Sequence, residues 1–335
     1  MRRRVAVTLS GALVGIGTLQ AIIYLLFIRA IDLYEREPLR YVVPVFMWGF
    51  AVATTISLVF NTIASVTFDA VVSKEVASFL TAVFVAPVVE ECAKGLALLI
   101  IFVVAYLASR RRRLIEFAGV MDGIVYGAAV GFGFALAEDI LYGMQYGVET
   151  FLVRRIFGGF AHAAFTSLTG IGIGLIPFVH NRGLKAVPPL LGLLGAILLH
   201  ATFNFLATVY GAVAYLFMIL VVLAYLIVIL VWLTIERRAI RGELREEVAE
   251  GLISPEEYAI LPTFFRRTVH YLRLILTGHL GAWSRARRVH SAAVDLAFAK
   301  SLARRSPAPY RVERVHALRR KIVDLRTQAE PRVST

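Results

Sequence analysis

The sequence predicts an all-α, polytopic membrane protein of about seven transmembrane helices with a small helical tail. Composition is the first reason: 59% of the 335 residues are hydrophobic and mean hydropathy is +0.73, well above an ordinary soluble domain. Length is the second, since seven apolar runs reach the roughly 20 residues that a helix needs to cross about 30 Å of hydrocarbon. Pattern is the third. The runs are continuous, without the alternation of barrel strands, and lipid offers an unpaired backbone group no partner, so each run must satisfy itself as a helix.

The first run, residues 5–28, follows a basic MRRR start like that of a signal peptide. It stays apolar to Phe27 without a small-residue cleavage site and reads as a retained helix. The others span 41–66, 77–108, 119–143, 156–178, 186–209 and 211–235. Cys92 is the single cysteine, which excludes an intramolecular disulfide and suits a helix as a small apolar filler.

Short-loop cations set the orientation. Arg29, Arg36 and Arg40 follow the first run, Arg110 to Arg113 the third, Arg182 and Lys185 the fifth, and Arg237, Arg238 and Arg241 the seventh. Seven spans put all four groups on one side, expected to be cytoplasmic, so the chain is a multi-pass cell-membrane protein with its C-terminal tail inside and its N-terminus outside. MRRR, and Arg154 with Arg155 before the fifth run, conflict with that arrangement.

Residues 1–235 therefore form the membrane core and 236–335 the tail, which carries 20 Lys plus Arg against 11 Asp plus Glu. Such a surface is attracted to anionic membrane lipids, and with no recognition motif beside the charge no nucleic acid is expected. ELREEVAEGLISPEEYAILP reads as two short helices split at Gly251 to Pro255, with Ser254 as cap and Pro255 at the first helical position. TFFRRTVHYLRLILTGHLGAW is amphipathic, basic and aromatic, fit for an interfacial or packed helix. SPAP at 306–309 breaks the chain before a last basic helix.

Polar residues inside the spans point to function, because a charge at the bilayer centre is unfavourable by about 2.5–3.5 kcal/mol even on a lenient scale. The third run carries Glu90, Glu91 and Lys94. Glu90 and Lys94 share a face, and an ion pair orienting neighbouring helices would explain one acid and leave the other over. In the fourth run Gly123, Gly127 and Gly131 make a smooth packing face, and Glu138 sits one turn beyond Phe134. The fifth run places His162 and Thr166 one turn apart, and the sixth does the same with His200 and Asn204. Any one of these is read as an interhelical hydrogen bond or a headgroup-level acid. Together they put three acids, two histidines and an Asn on four successive helices, at depths that converge on a cavity open to the outer side.

Such a cavity suits hydrolysis. A carboxylate can take a proton from water while His or Asn donates to a developing oxyanion. Equally, imidazole nitrogens and carboxylate oxygens suit zinc with one position left open.

APVVEECAK at 86–94 resembles the EExxK motif of the PrsW family of intramembrane proteases, within the CAAX-prenyl-protease-like clan. DGIVYGAAVGFGFALAED at 122–139 resembles its second motif, and HAAFTSLTG and HATFN its histidine motifs. The likeness covers about residues 77–208, with Asp139 where the family commonly has Asn. It implies cleavage of a single-span membrane protein in or beside the bilayer, such as the first cut in a membrane-bound anti-sigma factor. It further implies that Glu90 is the water-activating base, Glu91 a supporting acid, and His200 with Asn204 the oxyanion donors. Glu138 would share the water or a metal, with His162 as a second polar or metal-binding group, so that any zinc would sit on Glu138, His162 and His200. Lys94 would keep the carboxylates ionised, and Thr166 is a supporting group. Metal-free, glutamate-activated water is the preferred chemistry and zinc stays open; no HExxH is present, so ordinary zinc-protease logic does not carry over. A proton-coupled transporter and an inactive scaffold are the rival readings; the first would show related halves with broken helices, and none is visible.

Overall fold

The structure, a computed structural model, describes residues 2–110 and 117–327, all helix and connecting segments with no strand among them. Arg111 to Arg113 of the loop after the third run lie outside the described residues. The chain divides into two compact units, one built on residues 2–32, 37–106 and 117–229, the other on Leu33–Arg36, residues 107–110 and everything described from Leu230 on.

The first unit contains α1 (Arg2–Ile31), α2 (Leu39–Asp69), α3 (residues 74–110), α4 (Val120–Tyr146), α5 (Val148–Gly174), α6 (Val187–Tyr210) and the start of α7 (Val213–Glu243). Five helical stretches among the described residues are long and apolar enough to cross a membrane: Leu39–Asp69, Val120–Tyr146, Gly158–Phe178, Arg182–Tyr210 and Val213–Ala249. The other two expected runs are helical as well. Of α1, Gly15–Ile31 forms the shorter apolar part, and α3 carries Glu90, Glu91 and Lys94 within its apolar sequence.

Helix α4 is the centre of this unit, with 94% of its apolar window buried against 39% for α2 and 11% for the α6 stretch. Its glycines explain why. A Cβ at Gly131 would overlap the His162 carbonyl, one at Gly127 the backbone of Ser167, and one at Gly123 that of Gly170, so the stripe brings α4 against α5 in a fixed register. Gly133 meets α2 at Phe46 in the same way.

Two π-helical turns interrupt the regular ladder, Trp48–Ala53 in α2 and Thr81–Val85 in α3. Each lies next to a proline, Pro44 and Pro87, and each has a carbonyl taken by a side chain. Thr54 Oγ1 donates to Gly49 O at 3.0 Å, and Asn204 Nδ2 donates to Ala82 O at 2.8 Å. Trp48 Nε1 donates to Ala93 O at 3.0 Å, tying α2 to α3.

The second unit is a helical cluster of α8 (Arg245–Ala249), α9 (Pro255–Ile260), α10 (Phe264–Leu276), α11 (Leu280–Arg305) and α12 (Pro309–Thr327), with the end of α7. Ser254 and Glu257 form a reciprocal capping box at the start of α9, with Pro255 at its first position. Ile240, Leu244, Leu261, Leu296, Leu318 and Ile322 belong to its core. Much of the tail's positive charge is used inside the unit: buried Glu247 accepts from Lys300 at 2.7 Å and from Arg319 at 2.6 Å, and Glu257 pairs with Arg326 at 2.5 Å.

Candidate active site

Helices α3, α4, α5 and α6 bring the predicted polar residues together. Glu91 is fully buried and saturated: Oε1 accepts from Lys94 Nζ at 2.8 Å and from His200 Nδ1 at 3.1 Å, while Oε2 accepts from Thr166 Oγ1 at 3.1 Å. One carboxylate thus fixes a residue on each of α3, α5 and α6.

Glu90, its neighbour, is placed quite differently. Oε1 receives only a long 3.5 Å hydrogen bond from Asn61 Nδ2 of α2, and Oε2 makes none with the described residues. That oxygen faces Lys94 Nζ at 3.7 Å and His200 Nε2 at 3.8 Å. Adjacent acids on a helix point about 100° apart, so one turns into the helix packing and the other into open space.

Lys94 is fully buried, bonded to Glu91, within 3.0 Å of His162 Nδ1, and seated 3.8 Å over the Phe134 ring. Phe134 therefore serves the ammonium, which accounts for an aromatic one turn from Glu138. An ammonium only donates, so His162 Nδ1 accepts; its Nε2–H then donates to Glu138 Oε2 at 2.8 Å. His200 stacks on Phe165, ring centroids 5.4 Å apart, and its Nδ1–H donates to Glu91.

Part of this group lines a cavity of about 600 Å³ bordered by α2, α3, α4, α5, α6 and the start of α7. Glu90, Glu138, His162, His200 and Asn204 all border it.

A family model described as PrsW family intramembrane metalloprotease matches residues 37–233, more than half the chain. The chain belongs to the PrsW family. It is 31% identical to Protease PrsW of Geobacillus kaustophilus over 172 residues, which covers 51% of this chain and 69% of that protein. It is 26% identical to Protease PrsW of Clostridioides difficile over 217 residues, 62% of this chain and 82% of that protein. Protease PrsW of Bacillus subtilis is 37% identical over 87 residues, 26% of this chain and 39% of that protein. No solved structure matches the chain.

The metal in the PrsW family description has a fitting donor set here. Among the described residues Glu90, His162 and His200 bring ligand atoms within 4.8 Å of one another. Glu90 Oε2 is buried without a hydrogen bond, and His200, whose Nδ1 is oriented by Glu91, directs Nε2 toward it. His162 joins only by exchanging a hydrogen bond, as both its nitrogens are engaged. This set shares His162 and His200 with the expected Glu138, His162 and His200; Glu138 Oε2 is bonded to His162 and paired with Arg154 Nη2, each at 2.8 Å.

Two site residues were not singled out from the sequence. Arg154 stood out there only as a cation on the wrong side; it pairs with Glu138, stacks 3.9 Å over Tyr142 and reaches Asp139 Oδ1 at 3.6 Å. Asp139 also accepts from Gln20 Nε2 at 2.9 Å. Asn61 belongs to a run, 41–66, whose polar residues drew no attention. Asn204 is in the cavity wall, but its amide already serves the π turn of α3.

Proposed function

We propose that this membrane protease hydrolyses a peptide bond of a single-span membrane protein, within or next to the bilayer, using water activated by Glu90. The observation that carries the reading is the contrast between adjacent carboxylates: Glu91 is saturated by three donors, whereas buried Glu90 Oε2 has no hydrogen-bond partner among the described residues and borders the cavity. A carboxylate so placed takes the proton of an attacking water and returns it to the leaving amine. Lys94 Nζ, 3.7 Å away, sets a positive charge beside that oxygen.

His200 offers Nε2 to the reacting carbonyl. With Nδ1–H committed to Glu91, a neutral ring has a lone pair at Nε2, fit for a metal, and an imidazolium has an N–H there, fit for an oxyanion. A divalent ion held by Glu90 and His200, with His162, would supply Lewis-acid polarisation of the scissile carbonyl. Glu138 and Arg154 fix His162 and through it Lys94. A membrane-bound anti-sigma factor is the substrate class that the family resemblance suggests, and the tail is assigned to the cytoplasm by the basic loops.

The test is cleavage of a panel of single-span proteins in reconstituted vesicles. Glu90→Gln, Glu138→Gln and His200→Ala each abolish cleavage with insertion intact, and retained cleavage in all three would end the assignment. Metal content of the purified protein, compared between wild type and His200→Ala, tests ligation: stoichiometric metal lost in the variant means that Nε2 holds the ion, and none in either removes the metal from the mechanism.

A further inference from the structure

We propose that the cavity face of α2 binds the unwound backbone of the substrate, with Asn61 holding the peptide group beside the bond that Glu90 addresses; the proposal rests on the proteolytic reading above. Helix α2 exposes Val59, Phe60, Ile63 and Val66 away from the cavity, as a lipid-facing helix should. Yet Thr54, Ser57, Asn61 and Ser65 recur at three and four residues, hence on one face, and all four line the cavity.

Cavity-side Thr54 closes on its own helix at Gly49 O, as the outward hydroxyls do, but Ser57 does not. Thr55 and Thr67, both exposed on the outer side, close on their own helix by donating to Ala51 O and Ile63 O, each at 2.7 Å. On the cavity side Ser57 is only 4% exposed and its Oγ has no partner among the described residues. The same holds for Asn61 Oδ1 and, across the cavity, for Thr81 Oγ1. Buried polar atoms kept free of their own helix are costly unless a ligand engages them.

The ligand must bring donors and acceptors together in an apolar setting. A helical substrate segment cannot, because its N–H and C=O groups are already bonded to each other. An unwound segment offers one of each per residue, and a carboxamide such as that of Asn61 matches a peptide group with one acceptor and one donor face. The spacing agrees: four residues along α2 advance about 6 Å, and same-side groups of an extended chain recur every two residues, about 6.6–6.8 Å. Ser57, Asn61 and Ser65 thus meet successive same-side peptide groups. The Asn61–Glu90 hydrogen bond places the middle one next to the base.

The test uses the full chain carrying Glu90→Gln and Cys92→Ala in phosphatidylethanolamine and phosphatidylglycerol vesicles. Ser57→Cys, Ser65→Cys and the outward control Thr55→Cys are each oxidised against a Lys-flanked Leu/Ala transmembrane peptide with a Gly/Ser-rich centre, carrying one cysteine at successive positions. Ser57→Cys and Ser65→Cys should crosslink at least about tenfold more than Thr55→Cys, converting about 1.4 kcal/mol of preference. Their best peptide partners should lie four residues apart, the extended spacing for about 12 Å of helix. Partners eight residues apart mean a helical ligand and overturn the proposal, as does crosslinking no better than the control. Crosslinks at four-residue spacing to a peptide that the wild-type enzyme never cuts would support the track while removing the proteolytic reading.

Discussion

Glu90→Gln and Glu91→Gln are the same chemical change at adjacent positions, and the structure separates their outcomes. Glu91→Gln leaves Lys94, His200 and Thr166 one acceptor oxygen and an NH2 in place of the other, and leaves the fully buried Lys94 ammonium with Glu90 at 3.7 Å as its nearest remaining anion. Breaking a buried pair by removing one partner costs about 3–5 kcal/mol. At Glu90 the change gives up the looser 3.7 Å pairing with Lys94, which keeps Glu91 at 2.8 Å, and replaces a charged oxygen that has no hydrogen bond. Stability should stay within about 1 kcal/mol of wild type. Reversible unfolding by SDS in mixed micelles, followed by tryptophan fluorescence, reads the difference, with Trp48 bonded to the backbone of α3 at Ala93 as a nearby reporter. Both variants lose cleavage, but only Glu91→Gln loses stability. Equal destabilisation of the two would refute the division into an active and an anchoring carboxylate.

Three other outcomes follow from particular contacts. Gly131→Ala places a Cβ into the His162 carbonyl and should destabilise by more than about 3 kcal/mol in the same unfolding assay, since two helix backbones must part. Arg154→Lys keeps the charge but not the planar group stacked on Tyr142, and should lower kcat/KM about tenfold to a hundredfold, the worth of a hydrogen bond to a charged group. In the tail, burial holds buried His290, bonded to Tyr271 and facing Glu257 and His270, down at about 4 from an ordinary 6.5. The unfolded tail binds this proton first, so stability present above pH 6.5 is lost as pH falls toward 4, by up to about 3 kcal/mol. Hydrogen exchange of α11 in the full-length protein should quicken across that window, and His290→Gln should flatten the change.

The parts of the fold legible in sequence were those written in long periodic signals. Apolar length announced the helices, the four-residue glycine spacing announced the α4–α5 face, and Ser254 with Pro255 announced α9. Both α1 and α3 are helical where the runs 5–28 and 77–108 led one to expect them, α3 with Glu90, Glu91 and Lys94 inside its apolar sequence. At the site, adjacency in sequence identified Glu90 and Glu91 but not which would be saturated, because that depends on where α5 and α6 present Thr166 and His200. Arg154 was seen as a topological anomaly since its partners lie a helix away. Asn204, expected as an oxyanion donor, also donates to Ala82 O in the π turn of α3, an interhelical contact that neither helix shows in its own sequence.

The most direct measurement is mass-spectrometric mapping of the products when the reconstituted protein acts on single-span test proteins, with Glu90→Gln as the control. Cuts within or beside the transmembrane segment, absent from the control, are the predicted result. Cuts confined to soluble regions, or the same products from Glu90→Gln, would contradict it.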